Sequence, residues 1–186
     1  MKKLNVKNIL FPILSLVMIC CVVSALLAVT NAVTKNRIEQ NEAENSNAMR
    51  YEIFAEAQSF ESQDSYYIAL NDSGDTIGYV FETAAKGYGG DVSVMTGITI
   101  DGQIKGIRVL SHSETPGLGA NCTNEEFMRR YEQKIPENGE LSVVKGAPSE
   151  NGNIDAITGA TITSQAVTSA VNSAISRFET IIGEGD

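Results

Sequence analysis

Residues 9–29 read ILFPILSLVMICCVVSALLAV, 21 residues without a charge, inside an uncharged stretch that runs from Asn8 to Thr34. At about 1.5 Å per residue, such a run spans a hydrocarbon core of about 30 Å as a helix. A cleavable signal would have a shorter apolar region and a small-x-small cleavage site. Here the apolar part is too long, and Ala28-Val29-Thr30 and Thr30-Asn31-Ala32 are poor sites. A lipoprotein signal would place small residues just before its cysteine, whereas Met18 and Ile19 precede Cys20. The run therefore reads as an uncleaved single-span membrane anchor. Pro12 is expected near the first turns of this helix, where its missing N–H does little harm. Cys20 and Cys21 read as apolar fillers.

Charge divides the chain at the same place. Lys2, Lys3 and Lys7 are the only charges before Lys35, and the remaining 152 residues carry 11 basic against 23 acidic groups, a net of −12. The positive-inside rule then keeps the N-terminus cytoplasmic and sends the C-terminal domain outside the cell membrane. The acidic domain excludes nucleic acid as a partner, because phosphate neutralisation needs an excess of Lys and Arg. One His (His112) and three Cys (Cys20, Cys21, Cys122) leave no four-ligand metal or iron–sulfur centre, so no metal site is expected. If the domain performs redox chemistry, its cofactor is organic.

Three regions follow: residues 1–34 as cytoplasmic tip and transmembrane helix, 35–60 as a helical stalk, and 61–186 as an extracytoplasmic domain. Residues 33–58 hold no Gly or Pro and are rich in Glu, Asn, Ala and Gln, with only Ile38, Met49, Ile53 and Phe54 as apolar anchors. Strands are expected at 65–70 and 76–83 around the turn formers Asn71-Asp-Ser-Gly-Asp75, and at 92–100 and 103–110 around Asp101-Gly102. Thr123-Asn-Glu-Glu126 reads as a capping box opening a short helix over 125–131, and 141–144 as a further strand. Ala166, Val167, Ala170, Val171, Ala174, Ile175 and Phe178 form one apolar face of a C-terminal helix. Thr163 or Ser164 suits its N-cap, and Gly183 its stop. The fold class is α+β: an antiparallel sheet of four or more strands with flanking helices, behind one membrane helix.

Two stretches lie between the hairpins and the last helix: His112-Ser-Glu-Thr-Pro-Gly-Leu-Gly-Ala120 and Asp155-Ala-Ile-Thr-Gly-Ala-Thr-Ile-Thr-Ser164. Neither is a dinucleotide fingerprint, since Cys122 stands where the third Gly would be and no βαβ unit precedes it. Thr-Pro-Gly is a common turn, and a hydroxyl-rich run before a helix is commonly only a cap. The same run is also a ready anion site, with free N–H groups and a favourable dipole. A phosphate would be comfortable beside Thr161, Thr163 and Ser164, which favours a phosphorylated ligand without naming it.

Asp155-x-x-Thr158-Gly159-Ala160-Thr161 resembles the flavinylation motif (Asp-x-x-Ser/Thr-Gly-Ala-Thr) of the FMN-binding domain family, and the His112–Gly119 stretch resembles its second signature. Behind one anchor, the pair is similar to the G subunits of Rnf electron-transport complexes, and next to the usually longer C subunits of the sodium-pumping NADH:quinone reductase. The resemblance implies FMN covalently attached through its phosphate to Thr161 by a separate flavin transferase. It implies Thr158, Gly159, Ala160, Thr163 and Ser164 around the phosphate, and Glu114, Thr115, Gly117, Leu118 and Gly119 near the ring or ribityl chain. It also implies an electron-carrying subunit, not catalytic alone, among the other membrane subunits of a complex that couples ferredoxin–NAD electron transfer to Na⁺ or H⁺ translocation. Lys86-Gly-Tyr-Gly-Gly90 lines the site or is an ordinary loop, Asp155 serves transferase recognition, and His112 donates a proton or braces a turn. Cys122 reads as incidental. The rival readings are a membrane-anchored module holding FMN non-covalently, and a structural subunit whose Thr-rich turn only caps a helix.

Overall fold

A computed structural model describes residues 6–183, which divide into two units, one up to Asn45 and one from Ser46. Lys2 and Lys3 lie outside the described residues. The first unit is helix α1 (Val6–Ile53) up to Asn45, and it is long and apolar enough to cross a membrane. Leu10, Phe11, Leu14, Leu26 and Leu27 are all exposed. That surface suits lipid rather than water, because so long an apolar band is not left bare on a soluble protein. Thr30 and Thr34 donate their hydroxyls to the carbonyls of Leu26 and Thr30, at 2.9 and 2.8 Å, which satisfies them without water. Pro12 is the seventh residue of α1, in its second turn, and the helix forgoes one backbone bond there.

The second unit begins with the last two turns of α1, so the expected stalk ends inside a folded domain. The helix stops at Ile53, and residue 60 already belongs to a strand. Five strands follow in a meander: β1 (Ser59–Ser62), β2 (Tyr67–Leu70), β3 (Thr76–Lys86), β4 (Asp91–Thr99) and β5 (Ile104–Ser111). All neighbours are antiparallel, and the two expected hairpins are present. Strand β1, SFES, was not expected; it is short, mostly exposed, and pairs only with β2.

Side-chain alternation gives each face of the sheet its own partner. Val80 and Met95 point to one face, where they bury Ile53, Phe54 and Ala57. The Phe54 ring fills a notch over Gly78 and Gly97, where an added Cβ would strike it. Phe81, Val94 and Ile98 point to the other face and bury helix α3 (Thr161–Gly183). All seven apolar-face residues of α3 foreseen from the sequence are buried. Thr83 donates to the Ala170 carbonyl at 2.8 Å, pinning α3 across the sheet.

Between sheet and last helix, a 3₁₀ turn (Gly119–Thr123) leads into α2 (Glu125–Met128) and a second 3₁₀ turn (Arg129–Tyr131). The capping box is absent. Asn124 takes the N-cap position without a side-chain bond, and the Thr123 hydroxyl donates backward to Ala120. Strands β6 (Ser142–Val144) and β7 (Asn153–Asp155) form a separate parallel pair. Only β6 was expected.

Candidate functional site

Helix α3 starts two residues before the expected cap. Thr161 is its first residue, and the Ala160 carbonyl accepts the first helical bond, from Ser164 N–H at 3.0 Å. Neither Thr163 nor Ser164 is the N-cap. The Ser164 side chain is buried and turned backward: it accepts from Ile157 N–H at 2.9 Å and donates to the Ala160 carbonyl at 3.0 Å. It thereby shapes the 157–160 turn, where Gly159 adopts φ +78°. That geometry favours glycine.

The Thr163 hydroxyl is also committed, donating to Glu114 Oε2 at 2.5 Å. Thr161 differs. It is half-buried, and among the described residues its hydroxyl has no hydrogen-bond partner. The N–H groups of residues 161–163 have no intrahelical acceptor, as at any helix start. Together they leave one uncommitted hydroxyl in the positive field of a 23-residue helix.

Thr161 opens onto a cavity of about 790 Å³. That lies within the usual range for small-molecule sites, about 300–1,000 Å³. Its walls come from four segments. The 155–160 turn and the start of α3 give one wall, and Glu114, Thr115 and Leu118 from the loop after β5 give another. Tyr88, from the tip joining β3 to β4, gives a third, and Lys145 with Gly146, after β6, the fourth. Of the expected site residues, Thr158, Gly159, Ala160, Thr161, Thr163, Glu114, Thr115 and Leu118 meet here. Gly117, Gly119 and Ser164 do not line the cavity: Gly117 is exposed at a turn, and Gly119 and Ser164 are buried behind the wall. Lys145, Gly146 and Ile162 were not foreseen. Lys145 sits in a stretch without any chemical pattern, and the β6–β7 pairing with the Gly146–Asp155 bond brings it to the site.

Glu114 fastens three of these walls. It is 6% exposed and accepts from Thr163, from Gly89 N–H at 2.9 Å, and from Tyr88 N–H. Gly119 packs so closely that an added Cβ would strike the Glu114 carboxylate and the Thr163 hydroxyl. Burial works to raise the Glu114 pKa, but the Thr163, Gly89 and Tyr88 hydrogen bonds and the nearby His112 outweigh it. The carboxyl is held below its ordinary value. A depressed folded pKa contributes stability that is complete above the unfolded value of 4.5 and is lost as pH falls through the folded one. Acid titration of the folded domain, followed by circular dichroism, is therefore expected to show stability falling below pH 4.5. Glu114→Gln should remove part of that slope, and an identical slope in the variant would contradict this assignment.

Asp155 is tied inside the domain. Its Oδ1 accepts Gly146 N–H at 2.7 Å, its carbonyl accepts from Arg130 at 2.7 Å, and Arg130 lies 3.7 Å from Oδ2. His112 Nδ1 accepts Glu114 N–H at 3.2 Å, bracing the loop, and does not line the cavity. Burial first, then the Glu114 charge, push the Cys122 thiol up to about 11, so it is no nucleophile at neutral pH.

Comparison with known proteins gives a consistent set of matches. Residues 87–176 match the FMN-binding domain, and residues 1–53 match the RnfG N-terminal region. The G subunit of the Na⁺-translocating ferredoxin:NAD⁺ oxidoreductase complex of Acetobacterium woodii is 36% identical over 192 residues, covering 90% of each chain. The G subunit of the proton-translocating ferredoxin:NAD⁺ oxidoreductase complex of Clostridium ljungdahlii is 33% identical over 180 residues, covering 95% of this chain and 96% of that one. The crystal structure of Shewanella oneidensis NqrC superposes with a TM-score of 0.51 at 20% identity, covering 63% of this chain and 65% of that one. The last likeness is one of fold.

Proposed function

The chain belongs to the RnfG family, the G subunits of ion-translocating ferredoxin:NAD⁺ oxidoreductase complexes, and from that premise we propose that it is the subunit whose outer domain carries FMN on Thr161 and passes electrons within such a complex. One observation carries the attachment site. Of the three hydroxyls at the start of α3 that resemblance gathers around a phosphate, Thr163 and Ser164 are spent inside the fold and Thr161 is not. The residues present fit the group. The cavity has the size, the helix start supplies donors and a favourable field for a phosphate, and Tyr88, Leu118 and Ile162 offer apolar surface to a planar ring. Ser164 supports the turn rather than the phosphate, and Gly119 supports Glu114 rather than the ring.

Attachment needs a separate flavin transferase and an activated, pyrophosphate-linked flavin nucleotide. The Thr161 oxygen becomes the bridging atom of a phosphoester, while the hydroxyl proton and the remaining nucleotide phosphate leave. The tether matters because a reversibly held cofactor is lost by mass action where free ligand is scarce. Bound there, FMN supplies one- and two-electron exchange. Thr161 holds the phosphate end, Glu114 keeps the loops around the cavity together, and Leu118 and Ile162 shield it from water. The span without charge between Asn8 and Thr34 offers no ion path, so translocation falls to other membrane subunits.

Replacing this chain by its Thr161→Val variant in membranes holding the whole complex should abolish ferredoxin-dependent NAD⁺ reduction. Activity at the parental rate would refute the carrier role. The three N-terminal lysines support an outward-facing domain. Protease added to intact cells or spheroplasts should then cleave the domain, and protection would reverse the orientation.

A further inference from the structure

The cavity wall contains a charge that the fold alone does not require. Glu114 is buried, yet the groups bonded to it are neutral: one hydroxyl and two backbone N–H groups. Among the described residues no cation lies within ion-pair distance of it. Burial by itself disfavours the charged form, and it is these hydrogen bonds rather than an ion pair that hold the carboxylate ionised; a neutral glutamine would accept from the same donors. The other acid of the cavity, Asp155, has Arg130 beside it. Lys145 is the one cation lining the cavity; it is exposed and has no ion-pair partner among the described residues. Its loop is held by the bond from Gly146 N–H to Asp155. The cavity thus presents a fixed anion in one wall and an unpaired cation in another.

We propose that Glu114 and Lys145 set the reduction potential of the group held in this cavity, Glu114 lowering it and Lys145 raising it. This rests on the reading that FMN occupies the cavity. Two-electron reduction of a flavin takes up one proton to leave an anionic ring, or two to leave a neutral one. The electrons come from one redox partner and pass to the next. A neighbouring negative charge disfavours added electron density, and a positive one favours it, most strongly where water is excluded. Glu114 is the stronger of the two, because it is buried and Lys145 is screened by solvent.

The test is a spectroelectrochemical titration of the flavinylated full-length chain in detergent, comparing parent, Glu114→Gln, Glu114→Asp and Lys145→Gln. Glu114→Gln should shift the midpoint upward and Lys145→Gln should shift it downward by less. Glu114→Asp keeps the charge while loosening the contacts, and should stay near the parent. Unchanged midpoints, or Glu114→Gln and Lys145→Gln moving together, would overturn the proposal. So would Glu114→Asp moving as far as Glu114→Gln, since that assigns the effect to packing. If Glu114→Gln accepts no flavin, Lys145→Gln decides: a downward shift supports the charge effect and its absence refutes it. A parent chain that carries no flavin beside an active transferase fails at the underlying reading, and the proposal falls with it.

Discussion

A Thr161→Val chain coexpressed with an active flavin transferase is expected to give a denaturing-gel band with no ultraviolet fluorescence, where the parent band fluoresces. The effect is all or none if the ester is on Thr161, because valine keeps the shape of threonine and removes its hydroxyl oxygen. Thr163→Val and Ser164→Ala are expected to behave differently. Their hydroxyls bond Glu114 and the 157–160 turn, so their loss costs stability of about 1–3 kcal/mol each and leaves the band fluorescent. Fluorescence that survives Thr161→Val would remove the attachment from this residue.

The second large effect lies on the opposite face of the sheet. Phe54 is fully buried over Gly78 and Gly97, and it is the largest side chain joining the end of α1 to β3 and β4. Around it, the pairs Arg108–Glu52 at 2.8 Å and Lys105–Glu56 at 2.9 Å are partly exposed. Exposed pairs contribute at most about 1 kcal/mol each. Phe54→Ala is expected to cost about 3–5 kcal/mol, a large share of the roughly 5–15 kcal/mol of a typical domain. Thermal denaturation should show a midpoint lower by roughly 6–20 °C. A midpoint equal to the parent's would mean that the last turns of α1 are not part of the folded domain.

Much of the fold was legible because local and long-range preferences agree. Asp101-Gly102 between two apolar runs specifies a hairpin, and the face from Ala166 to Phe178 specifies a helix packed on one side. The errors fall where tertiary contacts decide. SFES and NID carry little strand propensity, and β1 and β7 exist through pairing with β2 and β6. Thr163 looks like a cap until Glu114, 49 positions away, claims its hydroxyl. Helix α3 starts at Thr161, with Ala160, which has no capping side chain and so no sequence signature, in the N-cap position.

The site was legible as two motifs, and the structure adds what joins them. Glu114 from one motif bonds Thr163 beside the other. Tyr88 was an open alternative that the β3–β4 turn carries to the cavity, while Lys145 arrives through strand pairing and the bond from Gly146 to Asp155. Spacing along a chain does not reveal such meetings.

A flavin phosphate esterified to Thr161 is located by fragment-ion mass spectrometry of the tryptic peptide between Lys145 and Arg177, from a chain matured by an active transferase. That peptide contains Thr158, Thr161, Thr163 and Ser164, so the position of the added mass discriminates among them. The expected added mass is one FMN less one water, carried by fragments that include Thr161 and absent from those that end before it. The same mass on another hydroxyl, or an unmodified peptide, would contradict it.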